Sequence, residues 1–225
     1  MSELFTSEFW LDYGPLLGKA SIDTLVMVLS STLIAYVVGI LLAVVLKLTE
    51  PNGLKPQPVF NAVLGWVVNM GRSLPFIILL IILIPFTRTI VGTIVGIRGA
   101  VVPLAVCAIP FVARMVESSF SDVHPGRIEA AQAFGASTTQ IVTKVFLRES
   151  LPSLIRGAAI TCITLVGYVA MAGAVGAGGL GDVAIRYGYY RYQSDVMIAS
   201  VLILIIVVQI IQSVFNLIAR RIDKR

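Results

Sequence analysis

Several stretches of this sequence carry residue types that do chemistry, and each fails on spacing or context. GPLLGKA, from Gly14 to Ala20, has the glycines and lysine of a phosphate-cradling loop. Only three residues separate its glycines where four are needed, and Ala20 stands where a Ser or Thr hydroxyl would meet Mg²⁺. Gly176-Ala-Gly178-Gly-Leu-Gly181 fits GxGxxG, but a dinucleotide site needs a strand before it, and an apolar run precedes it here. It reads better as an outer-side turn or as a point of close backbone packing. His124 has no ligand partner at metal spacing. Cys107 and Cys162 lie inside apolar runs and read as small apolar fillers, not as a disulfide or a metal site. The expectation is a chain that is not an enzyme, with no catalytic, metal-binding or nucleotide-binding residues of its own.

What remains is one polar stretch between two apolar ones, EAAQAFGASTTQIVTKVFLRESLP, from Glu129 to Pro152. Pro125 suits a first helical turn, and Glu129 follows early, where the helix dipole favours an acid. Gly135 suits the helix stop. Ser137-Thr138-Thr139-Gln140 is a capping-box pattern that opens a second helix, expected to run to about Ser150, before the Leu151-Pro152 break. The first helix offers the small residues Ala130, Ala131 and Ala133, with Ile128 and Phe134 as anchors. The predicted shape is a helical knob presented to another protein. The spacing Ala131, Gly135, Ile141 also fits a DNA-reading helix-turn-helix, but that needs a third helix and a core of its own. No nucleic-acid partner is expected.

The elements that hold this knob are membrane spans. Of the 225 residues 57% are hydrophobic and 13% charged, well below the roughly 25% charge of a soluble domain. The apolar residues gather in five blocks, about 22–46, 66–86, 100–116, 154–175 and 196–219. Each is close to the ~20 residues a helix needs to cross the hydrocarbon core. The predicted fold is all-α and integral to the membrane, with five transmembrane helices; Pro103 and Pro110 make the third the hardest to read. MSELFTSEFWLDYG has acids where a signal peptide has bases, so the first span is expected to act as an uncleaved insertion signal.

With five spans the termini face opposite sides. Lys47, Lys55, Arg72, Arg114, Arg127, Lys144, Arg148, Arg156, Arg220, Arg221, Lys224 and Arg225 fall to one side, and Lys19, Arg88, Arg98, Arg186 and Arg191 to the other. Basic residues favour the cytoplasm. The N-terminus is thus expected outside, the C-terminus inside, and the knob in the cytoplasm. Residues 1–20 form a short outer segment, 21–219 the membrane domain with its loop at 122–151, and 220–225 a basic cytoplasmic tail. The spans carry no acid at their centres: Asp23 and Glu117 sit at span ends, and Glu117 is three residues from Arg114, fit for an intrahelical pair. An ion-coupled carrier usually has midplane acids, so the pattern favours an external energy source. Near the end of the fourth span Met171 stands among Ala170, Ala172, Gly173 and Ala174. Small neighbours permit close helix approach, and in a dimer two copies of Met171 could meet and plug a pathway. The alternative is that Met171 only fills a helix interface. Tyr168 and Arg191 are weaker candidates to touch cargo.

Glu129-Ala130-Ala131, three residues, Gly135, nine residues, then Val145 and Leu147 resembles the EAA loop of bacterial ABC importer membrane subunits. The family has Ile at the position of Val145 and Pro at that of Arg148; Leu151-Pro152 repeats the Leu-Pro element four residues on. GRSLPFIILLIILIPFTRTIVGT (Gly71–Thr93) and YVAMAGAVGAGGLGDVAIRYGYYRY (Tyr168–Tyr192) look like the methionine-uptake permeases of that class, and the similarity covers about residues 20–220. The resemblance implies a homodimer in the bacterial cytoplasmic membrane, with the pathway between subunits. It implies two P-loop ATP-binding subunits, which bind the ATP and Mg²⁺, and an extracytoplasmic methionine-binding protein. Glu129, Ala130, Ala131, Phe134, Gly135 and Ala136 would sit in a groove of the ATPase, and alternating access would carry methionine inward. Two other readings stay open: a permease of this class for another amino acid or an osmolyte, and an ion-gradient carrier or channel.

Overall fold

The computed structural model describes residues 6–222, and every regular element in them is helical. Lys224 and Arg225, two cations of the expected tail, lie outside the described residues. The first helix, α1, spans Ser7–Thr49 and is capped by Thr6, whose hydroxyl accepts from the Phe9 amide. At ~1.5 Å per residue its 43 residues reach about 64 Å, twice the hydrocarbon thickness. The apolar block at 22–46 is therefore only the middle of a longer rod. One stripe of α1 is small: Ser31, Ala35, Gly39 and Ala43 recur every fourth residue and are buried. That stripe seats α5, Gly96–Ser121. A Cβ on Gly39 would lie 2.7 Å from Val112 Cγ1, so the two backbones come together only because the side chain is absent. Pro103 and Pro110 leave α5 a continuous helix, and it forms the centre of the packed core.

The second block is not one helix. It is divided into α2 (Pro58–Ser73), α3 (Phe76–Ile82) and α4 (Ile84–Val91), with a 104° bend between α2 and α3. Pro75 is the cause. It lacks an N–H and disfavours helical backbone in the residue before it, and Leu74 is extended at φ −79°, ψ 126°. Pro85 then opens α4, which Gly92 stops in the left-handed region at φ 77°. The described residues hold four helices long and apolar enough to cross a membrane, or five if the bent pair counts as one span.

After α5 come α6 (Pro125–Ala133), a single turn α7 (Thr138–Gln140), wide π-type turns over Ile141–Phe146, and α8 (Leu147–Gly173). From Thr138 to Gly173 the helix is unbroken, 36 residues in all. The expected stop near Ser150 is not there, and Pro152 sits inside α8. The wide turns hand the chain on through Leu147 N–H to Val142 O, and Phe146, Ser150 and Leu154 keep one buried face across the proline. Ser150 Oγ donates to Ser119 O of α5 at 2.8 Å, and Phe146 packs on Phe120. Packing on both sides of Pro152 holds the rod in line.

The chain then turns into α9 (Gly179–Val183), wide turns over Ala184–Tyr189, and α10 (Ser194–Ile222). The glycine run is a packing point. A Cβ on Gly181 would fall 2.5 Å from the Ala170 backbone, and one on Gly173 would strike the Asp182 amide. Thr24 Oγ1 accepts from the Leu180 amide at 3.0 Å, fastening the turn to α1.

Candidate functional site

The stretch between α5 and α8 has the knob geometry. His124 caps α6, its Nδ1 accepting from the Gly126 amide at 3.1 Å. Gly135 lies at φ 74°, where a residue without Cβ is favoured. Its amide donates to Gln132 O and the Ala136 amide to Ala131 O, the paired bonds of a Schellman stop. One residue later Ser137 and Gln140 exchange both bonds of a capping box, at 2.8 and 3.3 Å. Two helix ends are thus satisfied back to back over five residues, which makes the corner stiff.

The corner is also bare. Glu129, Ala130 and Gly135 are exposed, while Ala131, Ala136 and Ile128 are half-buried against the core. Ile128 anchors the knob as expected, but Phe134 does not. Its ring is 91% exposed, because as the cap residue before Gly135 it points away from its own chain. Glu129 is the fifth residue of α6, beyond the first turn in which the dipole acts. Arg127 of α6 and Glu149 of α8 form an ion pair that ties the knob to the long helix. Glu117 pairs with Arg114 at 2.7 Å, as the spacing predicts.

The pathway candidates lie on α8. Met171 is 52% exposed, and it shares a face with Arg156, Ile160, Gly167 and Ala174, all exposed and spaced three, four or seven residues apart. Much of α8 beyond its first turn is packed against α1, α5 and α10, so these residues form an open stripe along it. Tyr168 is half-buried and stacks on Phe76 of α3, centroids 4.7 Å apart and planes 4° from parallel. Arg191 is elsewhere, its guanidinium 4.5 Å above the Tyr187 ring in the cluster that joins α1 to the α9–α10 turn. Tyr168 and Arg191 therefore lie at separate places. It adds a cavity of about 190 Å³ at the α2–α3 bend, bordered by Arg72 and Tyr168. Along the sequence Arg72 falls with the basic residues of one side; its place just before Leu74-Pro75 is the signal that sets it apart.

A helical chain with several spans apolar enough for a membrane and a stiff exposed corner fits a permease, and the comparisons agree. The binding-protein-dependent transport system inner membrane component family matches residues 35–225, and the chain belongs to this family. The probable D-methionine transport system permease protein MetI of Vibrio cholerae serotype O1 is 49% identical over 210 residues, 93% of each chain. The methionine import system permease protein MetP of Bacillus subtilis (strain 168) is 44% identical over 180 residues, 80% of this chain and 81% of that one. Among solved structures, a chain from inward-facing conformations of the MetNI methionine ABC transporter superposes with a TM-score of 0.92. It is 43% identical and covers 98% of this chain and all of that one.

Proposed function

We infer that this chain is the membrane-spanning subunit of an ATP-driven importer and that its cargo is methionine. The observation that carries the reading is near full-length likeness, at more than two-fifths identity, to permeases named for methionine, together with the same fold in a methionine ABC transporter. The chain itself is the non-catalytic transport component; hydrolysis, with its ATP and Mg²⁺, belongs to separate P-loop subunits.

In this reading two copies of the chain form the pathway in the bacterial cytoplasmic membrane, with the N-terminus outside and the C-terminus inside. The ATP-binding subunits grip the corner formed by Glu129, Ala130, Ala131, Phe134, Gly135 and Ala136. Support comes from the corner's form: small exposed residues allow close approach, and the exposed Phe134 ring offers an apolar anchor for a partner's pocket. The Arg127–Glu149 pair and the unbroken rod from Thr138 to Gly173 give a rigid link from that corner to Met171. When the ATPase pair closes, the link tilts α8, and the open stripe around Met171 changes its partner across the dimer axis. The flexible thioether of Met171 seals the closed state without locking it, and Tyr168 lines the way. An extracytoplasmic methionine-binding protein delivers the cargo.

The test is reconstitution. The chain, its ATP-binding subunit and the binding protein in proteoliposomes should take up labelled L-methionine only with ATP inside the compartment that the knob faces. Uptake without ATP, or none with it, overturns the assignment. Cys placed at Met171 in both copies should crosslink in the closed state; two copies far apart in every nucleotide state end the gate reading while leaving the importer intact.

A further inference from the structure

The cavity at the α2–α3 bend lies at mid-span, and the neighbours of α2 fix its depth. Asn61 donates to Leu46 O near the end of α1 at 2.7 Å. Arg114 donates to Gly65 O at 2.7 Å, and a Cβ on Gly71 would lie 2.7 Å from Pro110 Cγ. Moving from Asn61 to Gly71, α2 thus climbs from the end of α1 to the middle of α5, so Arg72 is level with the centre of a membrane-spanning helix. A charged side chain at that depth is costly unless it faces a polar space or a partner. Arg114 has partners in Glu117, Asn69 and Gly65. Arg72 has no ion pair or hydrogen bond among the described residues, and it borders the cavity instead.

The rest of the wall is of two kinds. Thr161, Thr164 and Tyr168 bring hydroxyls; Cys107, Phe111 and Leu165 are apolar. Tyr168 of this wall is held by its stack on Phe76 of α3. Because α2 ends at Ser73, carbonyls of its last turn lack helical partners and give the bend a negative end. A cation, a broken helix end and an apolar wall thus meet within one small space, the arrangement by which discontinuous membrane helices hold polar solutes.

We propose that this cavity is a transit site for the amino-acid cargo, in which Arg72 takes the α-carboxylate and Cys107, Phe111 and Leu165 take the apolar side chain. The α-ammonium meets the carbonyls at the end of α2 and the Thr164 hydroxyl. An unbranched thioether suits the apolar wall, since sulfur packs well at ring edges. The site rests on the cargo reading above for the identity of the solute, and on the geometry alone for the carboxylate.

The experiment uses the complete complex of this chain with its ATP-binding subunits, in nanodiscs and without binding protein. Saturation-transfer NMR titrations with L-methionine should give a saturable methyl signal. Arg72→Gln should weaken the apparent affinity about tenfold or more, the worth of one lost charge-assisted contact, with partial recovery in Arg72→Lys. Methioninol, which lacks the carboxylate, should bind as weakly to the wild type as methionine binds to the Arg72→Gln complex. Equal affinity of wild type and Arg72→Gln, or of methionine and methioninol, overturns the site. If Arg72→Gln fails to co-purify with the ATP-binding subunits, Thr164→Val serves: several-fold weakening supports the site, and no change overturns it. Should the complex import and bind leucine but not methionine, with the same dependence on Arg72, the cargo reading falls and the transit site stands.

Discussion

Gly135 and Gly181 are both glycines for structural reasons, but the reasons differ. Gly135 needs its φ of 74° and has open space around it, so only backbone strain opposes a side chain. Asn tolerates that region and β-branched residues do not. Gly135→Asn is therefore expected to keep methionine uptake within about twofold. Gly135→Val should cut it about tenfold or more, at ~1–2 kcal/mol of strain placed on the corner. Uptake assays at matched membrane expression check this, and normal uptake in the Val variant would show that the corner is only a helix stop. Gly181 has an ordinary φ but no room, with the Ala170 backbone 2.5 Å from where a Cβ would go. Backbone cannot swing aside as a side chain can. Gly181→Ala should lower the melting temperature of the purified chain by several degrees, the cost of overpacking at ~1–3 kcal/mol. Gly14→Ala, inside α1 with nothing within 4 Å, should instead hold or slightly raise it, since Ala favours a helix interior over Gly.

Among elements, the link between α6 and α8 separates stability from transmission. Arg127 and Glu149 are partly exposed, 52% and 32%, so their pair contributes at most ~1 kcal/mol to folding. If it carries motion from the knob into α8, its loss matters more for coupling than for stability. Glu149→Gln is expected to leave the thermal midpoint within a degree or two and to lower methionine imported per ATP hydrolysed by several-fold. Measuring both quantities on one preparation decides the point; an unchanged ratio means the pair is a surface contact only. The α2–α3 bend offers a second test. Pro75 keeps Leu74 extended, and without it α2 can continue towards α3 and fill the cavity. Pro75→Ala should therefore reduce uptake while the chain still assembles, as co-purification with the ATP-binding subunit would show.

For the whole molecule, orientation is the property on which the docking argument depends. The proposed cytoplasmic side of the knob rests on the excess of basic residues on one side, and moving Arg72 from the rim to mid-span leaves that excess intact. Single cysteines at Ser7 and Tyr189 should react with an impermeant thiol reagent in intact cells, and one at Ser137 should not. Tyr189 and Ser137 are exposed, so accessibility will report the side of the membrane and not burial. The native Cys107 and Cys162 are buried and give little background. The reverse labelling pattern would overturn the orientation and the ATPase-docking role together.

The class of this protein was legible in its sequence because lipid imposes a rule that composition must obey: long apolar runs fold as helices, since no water is present to satisfy a bare backbone. The knob was legible for a similar local reason. Helix-start and helix-stop chemistry at Pro125, Gly135 and Ser137 acts within a few residues, and the sequence displays it directly, while the His124 cap emerges only in the structure. What happened at the prolines was not local. Pro75 breaks its block, while Pro103, Pro110 and Pro152 stay within helices. The difference is set by partners distant in sequence: Ser150 and Phe146 lean on α5 and carry the helix across Pro152, whereas Leu74 borders a cavity. Tertiary packing also decided the meaning of single residues. Arg72 is a rim cation when counted along the chain and a mid-span cation beside an open cavity once Gly71 is set against Pro110. Spacing along a helix fixes which residues share a face, but only the neighbouring helices determine what that face meets.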